Sequence, residues 1–297
     1  MGLSMNEAWL VGPQGAGSAS MARSQGLLTP RVRKTWLLLT LIAALASLAE
    51  SAVPTPRARP VVAMQGGGIN FWHQAGAIEA ARAELGRDHF NSLEFVGGSA
   101  GSLAAVLSAT GVDMDDAFSC AIDLSLKAGL WERPLGLAGV WGDIVRDWLS
   151  ELLPTDAHAL CSGRVTILAI RTLPIPARER VSQFDSKTEL IDSCMASCHI
   201  PLFLDGRFTA RLRGGRYIDG SFLTSRKSYR GLDGGMADAW FDASLDPDAT
   251  NDFLRLRTPD GVRELFESGR RYAQSPHQRI APGGFVKCLA SQPVGIQ

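Results

Sequence analysis

Gly97-Gly98-Ser99-Ala100-Gly101 sets a serine between glycines, directly after the apolar run Leu93-Glu94-Phe95-Val96. A serine on a sharp strand-to-helix turn projects its hydroxyl out of the sheet, and flanking glycines leave room for the tight backbone. The amide after the serine and the N-terminus of the following helix then face the charge that develops on an attacked carbonyl. The chemistry implied is nucleophilic attack by Ser99; the same five residues also fit a glycine-rich turn that holds a phosphate or merely turns. A second tract, Gly66-Gly67-Gly68, follows the apolar run 60–64. Bare glycine amides at a strand end can donate to an oxyanion. Phe71 stands where a dinucleotide fingerprint needs its third glycine, so that reading fails.

A serine nucleophile needs a proton acceptor. The histidines are His73, His89, His158, His199 and His277. His277 has the late position of a triad histidine, but Ser275-Pro276-His277-Gln278 is no strand end. His199 precedes Ile200-Pro201 and reads as structural, and His73 lies one turn into the first expected helix. A carboxylate can take the proton directly if a partly desolvated site raises its basicity. Tyr217-Ile218-Asp219-Gly220 supplies an aspartate at a strand end, with Asp205-Gly206 and Asp233-Gly234 as competitors.

These residues need a scaffold, and the chain alternates in the required way. The pattern predicts strands over 60–64, 93–96, 165–170, 202–204, 216–218 and 253–256. It predicts helices over 72–85, 103–109, 114–128, 143–153, 186–198 and 262–273. Ser186-Lys187-Thr188-Glu189 has the form of a capping box. Strand, glycine loop, helix, strand, glycine turn, helix indicates an α/β fold with a largely parallel sheet. The 297 residues, 45% hydrophobic and 20% charged, can bury a real core and exclude a disordered tail or a multi-span membrane protein. Zero net charge argues against nucleic acid as the main partner. Five cysteines, with only Cys194 and Cys198 close together, give neither a disulfide scaffold nor a structural zinc site; no metal or cofactor is expected.

The zero net charge is a cancellation. Residues 1–49 hold Arg23, Arg31, Arg33 and Lys34 against Glu7, and the remainder is correspondingly acidic. The basic flank precedes the apolar stretch 36–48, which is short of the roughly 20 residues of a membrane span, and small residues follow it. Residues 1–52 therefore read as a targeting segment for the secretory pathway, with a membrane anchor or a bipartite organelle signal as alternatives. A proline-bearing linker covers 53–60, a single α/β domain 61–275, and a tail 276–297.

Gly66-Gly67-Gly68, Gly97-Gly98-Ser99-Ala100-Gly101 and Asp219-Gly220, in this order, resemble the patatin-like phospholipase family. Residues 193–201 and 213–220 resemble its adipose-lipase branch, and the likeness covers about residues 60–275. It implies a three-layer α/β/α sandwich with a largely parallel central sheet. It implies Ser99 as nucleophile, Asp219 as its base, and Gly67 and Gly68 as oxyanion donors with Gly66 shaping the turn. It further implies metal-free hydrolysis of phospholipid, galactolipid or triacylglycerol esters through an acyl-enzyme, at a membrane or lipid-droplet surface. Asn70 stands where many relatives carry Arg or Lys, and Ser221 follows Asp219-Gly220 where many have Gly or Ala. An esterase using His277 and an inactive lipid-binding relative are the competing readings. Trp131, Trp141 and Trp148, with leucines around them, form either a lipid-docking surface or ordinary core packing. Arg207, Arg211, Arg213 and Arg216 either meet anionic head groups or form a solvated basic edge.

Overall fold

A computed structural model describes residues 59–243, 246 and 253–275. The expected leader with its apolar stretch 36–48, most of the linker, His277 and the 276–297 tail lie outside the described residues.

The apolar run becomes β1 (Val61–Met64), buried along its whole length. After the glycine tract a short 3-10 turn, Gly68–Asn70, leads into α1 (Phe71–Leu85), which Gly86 stops, and α2 (Arg87–Asn91) follows. Then come β2 (Glu94–Gly98) and α3 (Ala100–Thr110), closed by Gly111 in the left-handed conformation. In α4 (Met114–Lys127) the Asp113 carboxylate accepts the amides of Asp115 and Asp116, an N-cap that starts the helix. Next are α5 (Trp141–Leu152), α6 (Ala157–Cys161), β3 (Val165–Arg171) and β4 (Ala177–Val181). Last come α7 (Lys187–Ser197), β5 (Ala210–Leu212), β6 (Gly215–Ile218), β7 (Ala239–Phe241) and α8 (Pro259–Gln274).

Among the described residues the sheet has seven strands, with a hydrogen-bonded path β5-β6-β3-β2-β1-β7 and β4 on β3. The central strands β7, β1, β2 and β3 are mutually parallel, as the alternation of strand and helix requires. The pairings of β4 and β6 with β3, and of β5 with β6, are antiparallel, so the sheet is mixed. Helices flank it on both sides. Alternation along β1 divides the core: Val62 and Met64 join the large cluster with α1, α3 and α5, while Val61 and Ala63 meet Val96, Leu168 and Tyr229.

One register detail positions the site. Ile167 and Leu168 of β3 pair with both β2 and β4, so those two strands lie on opposite edges of β3. Ile170 and Arg171 pair with both β4 and β6, which puts β6 on the edge that β2 occupies lower down. Gly98 ends β2 opposite Leu168, and Ile218 ends β6 opposite Ile170. The two strands run head-on, and the residues that follow them, Ser99 and Asp219, meet across the gap at Ala169.

Two expected strands are absent. Residues 202–204 form a turn: Leu202 has φ 65 and its N–H bonds the Arg207 carbonyl at 2.8 Å, closing a loop. Residues 253–256 are likewise irregular. The capping box at 186–189 is half formed. Ser186 Oγ accepts the Glu189 N–H, but the Glu189 carboxylate takes the Asp185 N–H instead of reaching back to Ser186.

Candidate active site

Ser99 occupies the N-cap of α3 with φ 54 and ψ −133, a backbone conformation an L-residue rarely adopts. The strain is held by close packing. A Cβ on Gly101 would stand 2.0 Å from the Met64 carbonyl oxygen, so only glycine lets the first turn of α3 rest on the end of β1. The Ser99 N–H donates to Ser197 Oγ at 2.8 Å, and that hydroxyl donates to the Leu168 carbonyl at 2.6 Å. Ser197, the last residue of α7, thereby ties the turn to β3. The Ser99 carbonyl accepts both the N–H and the hydroxyl of Ser102.

The Ser99 hydroxyl donates to Asp219 Oδ2 at 2.6 Å. Asp219 is 3% exposed and Ser99 8%. The aspartate is fixed from several directions: its N–H donates to the His199 carbonyl, the Gly220 N–H to the Ser197 carbonyl, and the Ser221 N–H to Oδ1 at 2.8 Å. Burial raises the Asp219 carboxyl to about 6, against the downward pull of hydrogen bonds from Ser99 and Ser221. A carboxylate of that basicity is still ionised at neutral pH and takes a proton more readily than an exposed one.

The glycine tract faces this pair. A Cβ on Gly66 would stand 2.0 Å from Ser221 Oγ and 2.8 Å from Ser99 Cβ. Gly67 and Gly68 open the 3-10 turn, whose first amides have no partner within the turn. The Ile69 N–H is already bonded to the Phe253 carbonyl at 2.8 Å and the Asn70 N–H to the Gly67 carbonyl at 3.0 Å. Asn70 is buried against Gly67 and presents no cationic group to the loop.

Ser99 opens onto an apolar groove of about 780 Å³, the open solvent at its mouth included. Its walls come from Leu103 of α3, Trp141, Val145 and Trp148 of α5, and Phe203 and Phe253 of the loops. Of the tryptophans considered for lipid docking, Trp148 is core: its N–H donates to the Ala117 carbonyl and its ring meets Phe71 and Trp72 edge-on. Trp141 lines the groove, and the Trp131 N–H is held by the Arg257 carbonyl. Core packing therefore accounts for Trp148, while Leu126 and Leu135 of the same stretch are 58% and 74% exposed. Arg213 pairs with Glu189 at 2.6 Å, whereas Arg207, Arg211 and Arg216 stand exposed.

His73 bonds Asp246 at 2.6 Å beside Tyr272, and His199 Nε2 contacts the Arg207 carbonyl. Neither histidine lines the groove. Asp205 accepts the Arg207 N–H, and Asp233 the Gly235 N–H, so both competing aspartates close their own turns. Sequence reasoning missed Ser197 and Tyr229. Ser197 lies within the 193–201 stretch that resembles a known branch, which was its only signal. Tyr229 is buried near the pair and bonds Thr224 and the Gly66 backbone. Among the described residues no cluster of His, Cys, Asp or Glu could hold a metal.

Comparison with known proteins gives the family. Residues 62–239 match the family model described as "Patatin-like phospholipase". Human omega-hydroxyceramide transacylase is 31% identical over 167 residues, 54% of this chain and 30% of its own length. Mouse 1-acylglycerol-3-phosphate O-acyltransferase Pnpla3 is 36% identical over 129 residues, 42% of this chain and 30% of its own. Human patatin-like phospholipase domain-containing protein 2 is 35% identical over 142 residues, 47% of this chain and 27% of its own. The chain thus spans under a third of the length of these curated relatives. With the family model covering more than half of the sequence, this chain belongs to the patatin-like phospholipase family of lipid hydrolases and acyltransferases.

Proposed function

We propose that the chain is a serine acyl hydrolase of glycerolipids that works through a Ser99–Asp219 dyad. The observation that carries this is the 2.6 Å bond from a strained, buried serine to a buried aspartate at the mouth of an apolar groove. The acyl chain lies in the groove and brings its ester carbonyl to Ser99. Asp219 takes the hydroxyl proton as Oγ attacks the carbonyl carbon. The carbonyl π electrons move to oxygen, and the Gly67 and Gly68 amides stabilise that charge. Collapse of the intermediate breaks the ester C–O bond, Asp219 returns its proton to the departing alcohol, and an acyl-Ser99 remains. Water then gives a proton to Asp219 as its oxygen attacks the acyl carbon; the bond from that carbon to Ser99 Oγ breaks, Asp219 returns the proton to Oγ, and the fatty acid leaves.

The names of the relatives favour a second acceptor. One is called a transacylase and another an acyltransferase, so an alcohol can replace water in the second half. A fluorophosphonate probe tests the dyad: labelling at Ser99, lost in Ser99→Ala and Asp219→Asn, is expected. A folded protein that resists labelling and hydrolyses no ester would overturn the assignment and leave lipid binding without turnover. Incubation with triolein or phosphatidylcholine, with and without an added monoacylglycerol, separates hydrolysis from transfer. The 1–52 leader is proposed to send this domain into the secretory pathway, which N-terminal sequencing of the exported protein would test.

A further inference from the structure

We infer that the outer side of the 199–208 loop, together with the β5–β6 hairpin, is a docking surface for an anionic lipid bilayer. This rests on the proposed function only in taking a lipid surface as the site's source of substrate.

The loop has two sides. Ile200, Phe203 and Leu204 point inward and line the acyl groove. Leu202 and Phe208 point outward and are 57% and 69% exposed. Leu202 is held outward at φ 65, a conformation costly for a branched side chain. Two bonds close the loop beneath it, both to the Arg207 carbonyl: the Leu202 N–H at 2.8 Å and buried His199 Nε2 at 3.1 Å. Strain is thus maintained to keep an apolar side chain in water next to the groove entrance.

The charges beside it are arranged as oddly. Arg211 and Arg216 are directly paired across β5 and β6, a like-charge cross-strand pair that opposes the hairpin. With Arg207 and Phe208 they line one polar depression of about 1370 Å³, open solvent included. Three acids share it. Asp192 is paired with Arg146 at 2.8 Å, and Asp205 accepts the Arg207 N–H at 2.9 Å. The amide leaves the Asp205 charge in place, so Asp143 and Asp205 share the depression with three guanidiniums that have no ion pair among the described residues, an excess of one positive charge. Exposed apolar prongs ringed by unpaired arginines match an interface with acyl chains below a layer of phosphate. A free phosphate would need the arginines alone, and a second copy of this chain would need a matching acidic face. The lipid surface accounts for both sets of residues and for their continuity with the groove wall.

The test is co-sedimentation of the full chain with phosphatidylcholine vesicles, with or without about 30% phosphatidylserine, beside hydrolysis of a short water-soluble ester. Wild type is expected to bind the anionic vesicles more tightly. Arg211→Gln and Arg216→Gln should each weaken binding about fivefold and flatten its salt dependence. Leu202→Ser with Phe208→Ser should weaken it about tenfold or more. All four substitutions should leave soluble-ester turnover intact, which also shows that the variants fold. Binding equal to wild type in every variant would overturn the proposal. So would full release of the protein by millimolar inorganic phosphate, which would mark a small-anion site, or a change of oligomeric state in the variants, which would mark a self-association face. Ser99→Ala should still bind vesicles, so loss of the dyad and loss of docking are read separately.

Discussion

Two buried carboxylates in this protein each make one 2.6 Å contact with a side chain able to exchange a proton: Asp219 with Ser99, and Asp246 with His73. By distance and burial they are alike. They differ in what lies on the far side of the partner. Ser99 faces an apolar groove through the gap where β2 and β6 run head-on. His73 faces Tyr272 of α8, and its carbonyl is pressed against Gly269. A short hydrogen bond to a buried aspartate is therefore not what marks the candidate site. His73 borders only a smaller pocket of about 310 Å³, open solvent included, so the mark is a strained nucleophile on a large apolar groove.

The contrast can be broken in order of expected effect. Ser99→Ala should lower ester hydrolysis by about 10⁴-fold with the fold intact by circular dichroism; retained turnover would make the pair at Ser99 no more special than the pair at His73. Asp219→Asn should lower kcat by about 10³-fold and at the same time raise stability. A folded-state value of about 6 lies above the usual 3.8 for aspartate. The native state therefore holds the proton more tightly, and the carboxylate costs stability as pH rises from about 4 through 6. At pH 7.5 that cost is about 2–3 kcal/mol, so a thermal melt should show the asparagine variant unfolding several degrees higher. The same titration shapes the rate: kcat/KM should fall about tenfold per pH unit below about 6, as Asp219 becomes protonated and cannot accept the serine proton.

Gly66→Ala should cost about 10²-fold in turnover, because its methyl group would displace Ser221 or Ser99. His73→Asn should leave turnover within about threefold while destabilising the protein by about 1–3 kcal/mol, since it removes one side of a buried bond. A large loss of activity in that variant, measured on protein that remains folded, would erase the distinction between the two pairs.

Much of this was legible in the sequence because the chemistry lies at its punctuation. Ser99 and the glycine tract sit where apolar runs end in glycines, whereas Asp219-Gly220 shares its local pattern with Asp205-Gly206 and Asp233-Gly234 and is singled out only by the family resemblance. What the sequence hides is how distant strands share an edge. No local pattern tells that β6 occupies the edge of β3 that β2 vacates, yet that register brings residues 120 apart within 2.6 Å. Ser197 is hidden for the same reason, since its partners Leu168 and Ser99 come from other elements. Strand β4, Ala-Arg-Glu-Arg-Val, is an edge strand with mostly polar residues, so no apolar run announces it. The 202–204 segment has a strand's composition but begins at Leu202 with a positive φ, which composition does not reveal.

The contact between Gly101 and the Met64 carbonyl has a consequence for anyone re-targeting this scaffold by directed evolution. Because the elbow rests backbone on backbone, random substitution there yields mostly collapsed or silent clones. Diversity belongs instead at Leu103, Ala121 and Val145, groove-lining side chains on three different helices. A library confined to those positions would reshape the groove while leaving the geometry around Ser99 as it stands.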